Sequence, residues 1–254
     1  METPGLFLWA KRRYLWVMHS LIIHMSSSIE RRENVDRLLS DLPNAQVIEA
    51  VDGRLPEVQT SVDLRPGDLH DPHYPFAIKG GEIGCFLSHR ACWQKIVDEN
   101  WDAAIVAEDD LAIAPDRLAP LMKLLARNST PDCFIRIPPK DRETQATVTD
   151  REEDMALFTP YIIGLQTTAQ VVGRNAAQRL LAATQTLDRP VDTFLQMHWI
   201  TDQKVETILP NGATEMPFGA GSTVQHKSGG LRSKLMREIR RARYRALVNR
   251  NPQT

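Results

Sequence analysis

The sequence predicts a single α/β domain with a mostly parallel central sheet and flanking helices, and three observations lead there. Residues 17–23 form an apolar run, residues 26–39 have helical spacing and residues 47–51 form a second apolar run: the strand, helix, strand opening of a parallel sheet. A further short apolar run, residues 103–107, leads straight into Glu108-Asp109-Asp110, and open α/β sheets bind ligands beyond the carboxyl ends of their strands. The chain has 254 residues, 42% hydrophobic and 25% charged, enough to bury one substantial core.

The apolar stretch from Tyr14 to Met25, which contains the first run, follows Lys11-Arg12-Arg13, yet it reads as a buried strand. His19, Ser20 and His24 interrupt it, no small-residue cleavage site follows, and it is too short to span a bilayer. Ser26-Ser27-Ser28 offer N-caps to the helix carrying Arg31, Arg32 and Arg37, and Asp52-Gly53 turns the chain out of the second strand. Residues 54–79, rich in Pro, Asp and His without a period, read as an irregular loop over one end of the sheet. From residue 82 to about 100, Ile83, Phe86, Leu87, Trp93, Ile96 and Val97 fit a helix that sets Glu82 and His89 on one side, two turns apart. Pro115 opens a helix to about Arg127. Residues 133–137 then read as a strand, 138–154 as a mobile polar loop, 156–165 and 168–172 as paired strands, 175–187 as a helix, 191–199 as a short helix and 205–209 as a strand.

The chain divides into an N-terminal extension (1–17), the main domain (18–226) and a basic tail (227–254). The net charge of −1 hides an asymmetry: nine basic residues against Glu238 between residues 227 and 250 give the tail +8 and leave −9 on the remainder. Cys85, Cys92 and Cys133 are odd in number and lack metal-type spacing, which argues against a disulfide framework or a zinc site and for reduced thiols in a cytoplasmic protein.

Three consecutive carboxylates raise one another's pKa unless something neutralises them, and a hard divalent cation is the usual answer. Alternation along a strand would turn Glu108 and Asp110 toward one ligand and Asp109 aside, suiting Mn²⁺ or Mg²⁺ held together with substrate phosphates. Taken alone, the cluster fits equally a loop start that caps a helix.

Five segments in order, residues 23–31, Ala50-Val51-Asp52-Gly53, Gly81-Glu82-Ile83-Gly84-Cys85-Phe86-Leu87-Ser88-His89, residues 105–110 and Pro190-Val191-Asp192, resemble glycosyltransferase family 25. That family includes bacterial lipooligosaccharide galactosyltransferases and collagen galactosyltransferases. The likeness runs from about residue 22 to 224, and the string ending in Ser88-His89 is its specific part. It implies the nucleotide-binding GT-A fold, a UDP-sugar donor and an inverting transfer of a hexose, galactose first, to a lipopolysaccharide, lipooligosaccharide or similar glycan acceptor. The acidic triplet takes the place of that fold's Asp-x-Asp, with Glu108 and Asp110 on the metal and His226 as a further ligand. Arg31, Asp52, Ser88, His89 and Glu108 would surround the nucleotide and its diphosphate. Asp192 matches the family's Pro-x-Asp as general base, with Glu82 as second candidate. Departures from the pattern, His24-Met25 for Asn-Leu, Gln170 for Tyr and Ala107 for a larger aliphatic, bear on donor choice and on activity itself.

In the tail, Leu231, Leu235, Ile239, Ala242, Ala246 and Leu247 recur at helical spacing among arginines, an amphipathic helix over residues 231–248 of the kind that lies on anionic membranes. A cytoplasmic enzyme peripheral on the inner membrane follows, with no nucleic-acid partner expected; a solvated helix on the acidic domain is the alternative. Two other readings compete. Metal-dependent phosphoryl transfer lacks a P-loop or phosphatase nucleophile. A degenerate family member that binds nucleotide-sugar without catalysis is the non-enzyme reading.

Overall fold

The computed structural model describes residues 18–217 and 231–254, with side chains in the second stretch from residue 235. Its centre is an eight-stranded sheet. The strands are β1 (His19–His24), β2 (Ala45–Glu49), β4 (Ala103–Glu108), β6 (Phe134–Arg136), β7 (Gln145–Glu152), β8 (Met155–Pro160), β9 (Ala169–Gly173) and β11 (Glu206–Leu209). In space they run β2-β1-β4-β9-β6-β11-β8-β7. Short pairs join β3 (Asp63–Leu64) to β10 (Thr186–Leu187) and β5 (Leu111–Ile113) to β12 (Ala213–Glu215). The helices are α1 (Arg32–Asp41), α2 (Pro56–Ser61), α3 (Gly80–Asp98), α4 (Pro115–Asn128), α5 (Arg174–Ala183), α6 (Val191–Leu195), α7 (His198–Thr201) and α8 (Leu231–Val248).

Strand alternation splits the core into two layers. Leu21 and Ile23 of β1, with Ala104 and Val106 of β4, pack against Phe86, Trp93 and Ile96 of α3 and Ala176 and Leu180 of α5. Ile22, Ala103, Ile105 and Ala107 point the other way, onto Val35 and Leu38 of α1 and Leu121, Leu124 and Leu125 of α4. Burial of both faces explains why β1 and β4 read as continuous apolar runs rather than alternating ones.

The Asp52-Gly53 turn and the start of α3 meet backbone to backbone. A Cβ at Gly53 would lie 2.2 Å from the Gly80 carbonyl oxygen and 2.3 Å from Gly84 N, and one at Gly84 would lie 2.3 Å from the Val51 oxygen. No side chain fits there, which gives the glycines of two sequence motifs one shared structural cause.

Several expectations need correction. The sheet is mixed: β1 pairs in parallel with β2 and β4, and β6 with β11, but β9 is antiparallel to β4 and β6, and β8 to β11 and β7. Residues 156–165 and 168–172 do contain strands, β8 and β9, yet these pair with other strands and not with each other. The loop expected over residues 138–154 contains β7, an exposed polar edge strand whose lack of an apolar face hid it. The loop over residues 54–79 includes α2 and β3. The helix expected from residue 26 begins as a 3-10 turn, Ile29–Arg31, before α1. The extension 1–17 and His226 lie outside the described residues. No helix among the described residues is long and apolar enough to cross a membrane.

Candidate functional site

Alternation along β4 brings Glu108 out on the α3 side of the sheet, at the carboxyl end of the strand. There Thr167 Oγ1 donates to Glu108 Oε1 at 2.6 Å, and His89 Nε2 lies 3.2 Å from the same oxygen. Gln170 Nε2 is 3.1 Å from His89 Nδ1; donation by the amide leaves Nε2 as the donor toward Glu108. Burial pushes the Glu108 carboxyl up, but His89 and Thr167, with Arg31 beyond, outweigh it and hold the group below its ordinary value.

The strand stops at Glu108, so alternation does not extend to the next two acids, which form a turn before β5. Asp109 is buried, ion-paired with Arg31, and 2.8 Å from His24 Nδ1. Asn34 Nδ2 donates to the Asp109 carbonyl at 2.7 Å and to that of Leu111 at 2.9 Å. Asp109 thus fastens the turn to β1 and α1. Asp110 stands 3.9 Å from Arg31, and its Oδ1 is buried without a hydrogen-bond partner among the described residues. Burial, reinforced by the charge of Glu108, pushes its carboxyl up to about 7.

A buried acidic oxygen with no partner is costly, and a hard divalent cation is a partner suited to it. Glu108 and Asp110 therefore fit the expected metal. Among the described residues, Cys85, His89 and Glu108 also bring three ligand-type atoms within 4.8 Å of one another. Burial, then the charge of Glu108, holds the Cys85 thiol well above its ordinary value, and a protonated thiol is a poor ligand.

Two cavities meet at this point, both lined by Gly81, Cys85 and Glu108. The smaller, about 350 Å³, is bounded by Arg31, Val51, Asp52, Ser88 and His89. The larger, about 660 Å³, holds Glu82, Asp192, Thr167 and Glu215. The structure so gathers Arg31, Asp52, Glu82, Ser88, His89, Glu108 and Asp192 around one cleft, with Asp110 within electrostatic reach of Glu108 but in the lining of neither cavity.

Their states differ. Asp52 sits on the rim, its carboxylate taken by Arg54 Nε and Nη2 at 2.7 and 2.6 Å. The Ser88 hydroxyl is buried; it donates to the Gly84 carbonyl at 2.7 Å and accepts from Val51 N at 2.9 Å, so it joins α3 to the turn after β2. His89 is equally enclosed and orients Glu108. Glu82 Oε2 accepts from Lys79 N at 2.7 Å, capping α3. Asp192 Oδ1 accepts from Thr193 N at 2.7 Å, while its Oδ2 has only a long contact, 3.4 Å, from Gln166 N.

Thr167, Glu215 and Arg136 are not among the residues the sequence singles out. Gln166 Nε2 donates to Glu215 Oε1 at 2.5 Å, bringing β12 to the cleft, and no local pattern announces it. Arg136 is buried and ion-paired with Glu143, and donates to the carbonyls of Leu165 and Gln166 at 2.8 and 3.0 Å, fixing the loop that carries Thr167. A lone arginine between Ile135 and Ile137 in an apolar strand was the available signal.

Comparisons with known proteins show the family. The chain is 31% identical over 188 residues to the probable inactive glycosyltransferase 25 family member 3 of Bos taurus, covering 68% of this chain and 30% of that protein. It is 27% identical over 194 residues to procollagen galactosyltransferase 2 of Homo sapiens, covering 68% and 29%. It is 30% identical over 187 residues to a glycosyltransferase 25 family member of Drosophila melanogaster, covering 69% and 30%. The chain thus matches under a third of the length of these relatives. Among solved structures, mannose-1-phosphate geranyltransferase from Thermus thermophilus aligns with 76% of this chain and 74% of its own, at 12% identity and a TM-score of 0.34, too low to establish a common fold. The model of glycosyltransferase family 25 (LPS biosynthesis protein) matches residues 18–195, which hold every cleft residue named above except Glu215, and the chain belongs to that family.

Proposed function

We propose that the protein transfers a hexose, with galactose the first to test, from a UDP-sugar to a lipopolysaccharide, lipooligosaccharide or similar glycan acceptor, with inversion and with Mn²⁺ or Mg²⁺ as cofactor. Family membership supports the reading, and one observation carries it. Glu108 stands where a cavity of about 350 Å³ meets one of about 660 Å³, with the partnerless Asp110 oxygen two residues on. The smaller cavity takes the nucleotide; the larger takes the donor sugar and the acceptor.

Asp110, through Oδ1, and Glu108, through the oxygen that Thr167 and His89 leave free, are the residues that would hold the cation. A divalent cation bound there supplies positive charge to the departing diphosphate. Arg31, oriented by Asp109, adds a guanidinium on the nucleotide side. Asp192 takes the proton of the acceptor hydroxyl, since its Oδ2 is loosely engaged and the residue lines the larger cavity. Glu82 shares that cavity and is the second candidate, but its Oε2 is already spent on capping α3. One displacement inverts the sugar.

Release of UDP from a panel of UDP-sugars with Mn²⁺, beside thermal stabilisation by each donor, tests the reading. Mn²⁺-dependent turnover that disappears in Asp110→Ala supports it. Tight UDP binding without turnover on a broad acceptor panel makes the chain a binding protein instead, the reading that the name of the bovine relative favours.

Peripheral membrane contact, on a cytoplasmic enzyme, belongs to the same proposal. Leu235, Met236 and Ile239 on α8 are 62%, 47% and 51% exposed, beside a run of arginines. Deleting residues 231–254 is a poor test, because Tyr244 and Gln253 bond to the main domain. Leu235→Glu with Ile239→Glu, which leaves those bonds intact, should abolish binding to phosphatidylglycerol vesicles; undiminished binding overturns the membrane contact.

A further inference from the structure

The basic helix does not stand off from the domain but closes the larger cavity. Tyr244 is buried, and its hydroxyl accepts from Arg189 Nη1 at 3.1 Å. Arg189 is itself fully buried, paired with Asp188 at 2.7 Å and bonded to the carbonyls of His70 and Pro72. Tyr74 meets Tyr244 edge to face at 5.5 Å. Beyond the helix, Gln253 Nε2 donates to the carbonyls of Pro160 and Val205 at 3.1 and 3.0 Å. The helix is therefore held at its carboxyl end by a buried network.

That anchoring turns Arg237, Arg241 and Arg245, successive residues of an i, i+4, i+8 row, onto the cavity. The guanidinium carbons of Arg237 and Arg241 both lie 5.8 Å from the Phe76 ring centroid. Glu238 is the acid this stretch adds to the cavity lining, and it pairs with Arg241 at 2.8 Å. Like charges four residues apart repel, and three on one wall are stabilised by an anion between them. Glu82, Glu108, Asp192 and Glu215 also line this cavity, so the arginine row faces a cleft that carries acids as well. The nucleotide's own phosphates have their place in the other cavity, beside Arg31.

We propose that Arg237, Arg241 and Arg245 form an anion subsite for the acceptor, reading a phosphomonoester carried by the acceptor glycan. The inference rests on the assignment of the larger cavity to the acceptor. A guanidinium row set over an aromatic face suits such a group, the arginines binding the phosphate and Phe76 lying under them. The sugar bearing the phosphate would then extend toward Asp192.

Glucose 6-phosphate, methyl glucoside and UDP with Mn²⁺ are titrated calorimetrically into the full chain and into its Arg237→Gln/Arg241→Gln form. Glucose 6-phosphate affinity should fall at least tenfold, with UDP affinity unchanged and methyl glucoside binding weaker than the phosphate in the wild type. Arg245→Gln alone, outside the Phe76 stack, should lower it severalfold and guards against a folding artefact in the double variant. The Leu235→Glu/Ile239→Glu form should keep full glucose 6-phosphate affinity, which separates a glycan phosphate from a lipid headgroup. Equal sugar-phosphate affinity in wild type and both arginine variants overturns the subsite, and so does a loss confined to phosphatidylglycerol vesicles or to UDP. Failure of the wild type to bind UDP would count against the proposed function and leave the glucose 6-phosphate comparison readable.

Discussion

On the side of the smaller cavity the cleft is framed by a backbone contact: the turn after β2 lies directly on α3 through Gly53 and Gly84, and Ser88 ties the same two segments. On the other side it is made of side chains from places far apart in the chain, Tyr74, Asp192, Glu215 and the arginines of α8. The first region lies inside residues 18–195 matched by the family model; Glu215 and α8 lie beyond it.

Substitutions can break that contrast. Asp110→Ala should lower Mn²⁺-dependent UDP release by roughly 10³-fold, measured as initial rates against Mn²⁺ concentration, because it removes a buried acidic oxygen, two residues after Glu108, without a hydrogen-bond partner among the described residues. An activity within a few-fold of wild type would move the metal elsewhere. Asp192→Asn should cost roughly 10²-fold in kcat while UDP affinity stays constant, the mark of a group acting on the acceptor. If Glu82→Gln has that signature and Asp192→Asn does not, the two exchange roles.

Gly84→Ala tests the frame. Its Cβ would meet the Val51 oxygen at 2.3 Å, backbone against backbone, and urea denaturation should show a loss of about 3 kcal/mol. Tyr244→Phe tests the other wall more gently: losing the bond from Arg189 should cost about 1 kcal/mol, lower Tm slightly and raise the acceptor KM with donor binding unmoved. The smallest effect is expected from Leu235→Glu/Ile239→Glu, neutral in urea denaturation because both side chains are exposed, with the change confined to vesicle binding.

The same contrast governs what could be read from sequence. β1 and β4 are legible because burial on both faces gives them runs of consecutive apolar residues, Leu21 to Ile23 and Ala103 to Ala107, and α3 because its apolar residues recur at helical spacing. β7 is not, since an edge strand facing water has no period to show. Glu108 was found because three acids in a row are conspicuous, whereas Thr167 and Glu215 reach the cleft through folding that their neighbours in sequence do not record. Asp188-Arg189 looks like an ordinary solvated pair and is buried because each satisfies the other. The departures at His24 and Gln170 find partners in Asp109 and His89, while His24 Nε2 is buried without a hydrogen-bond partner among the described residues.

The contact of Gly53 with Gly84 has a consequence for how such a cleft can change over evolutionary time. With no side chain on either surface, the seam offers mutation nothing to adjust, and any atom added there forces the turn and the helix apart. Innovation is diverted to the rim, where Met25, Asp52 and Arg54 stand around the same hollow. Under the proposed assignment of this hollow to the nucleotide, a change of ligand preference would come from exchanging those few residues, while the floor beneath them stays fixed.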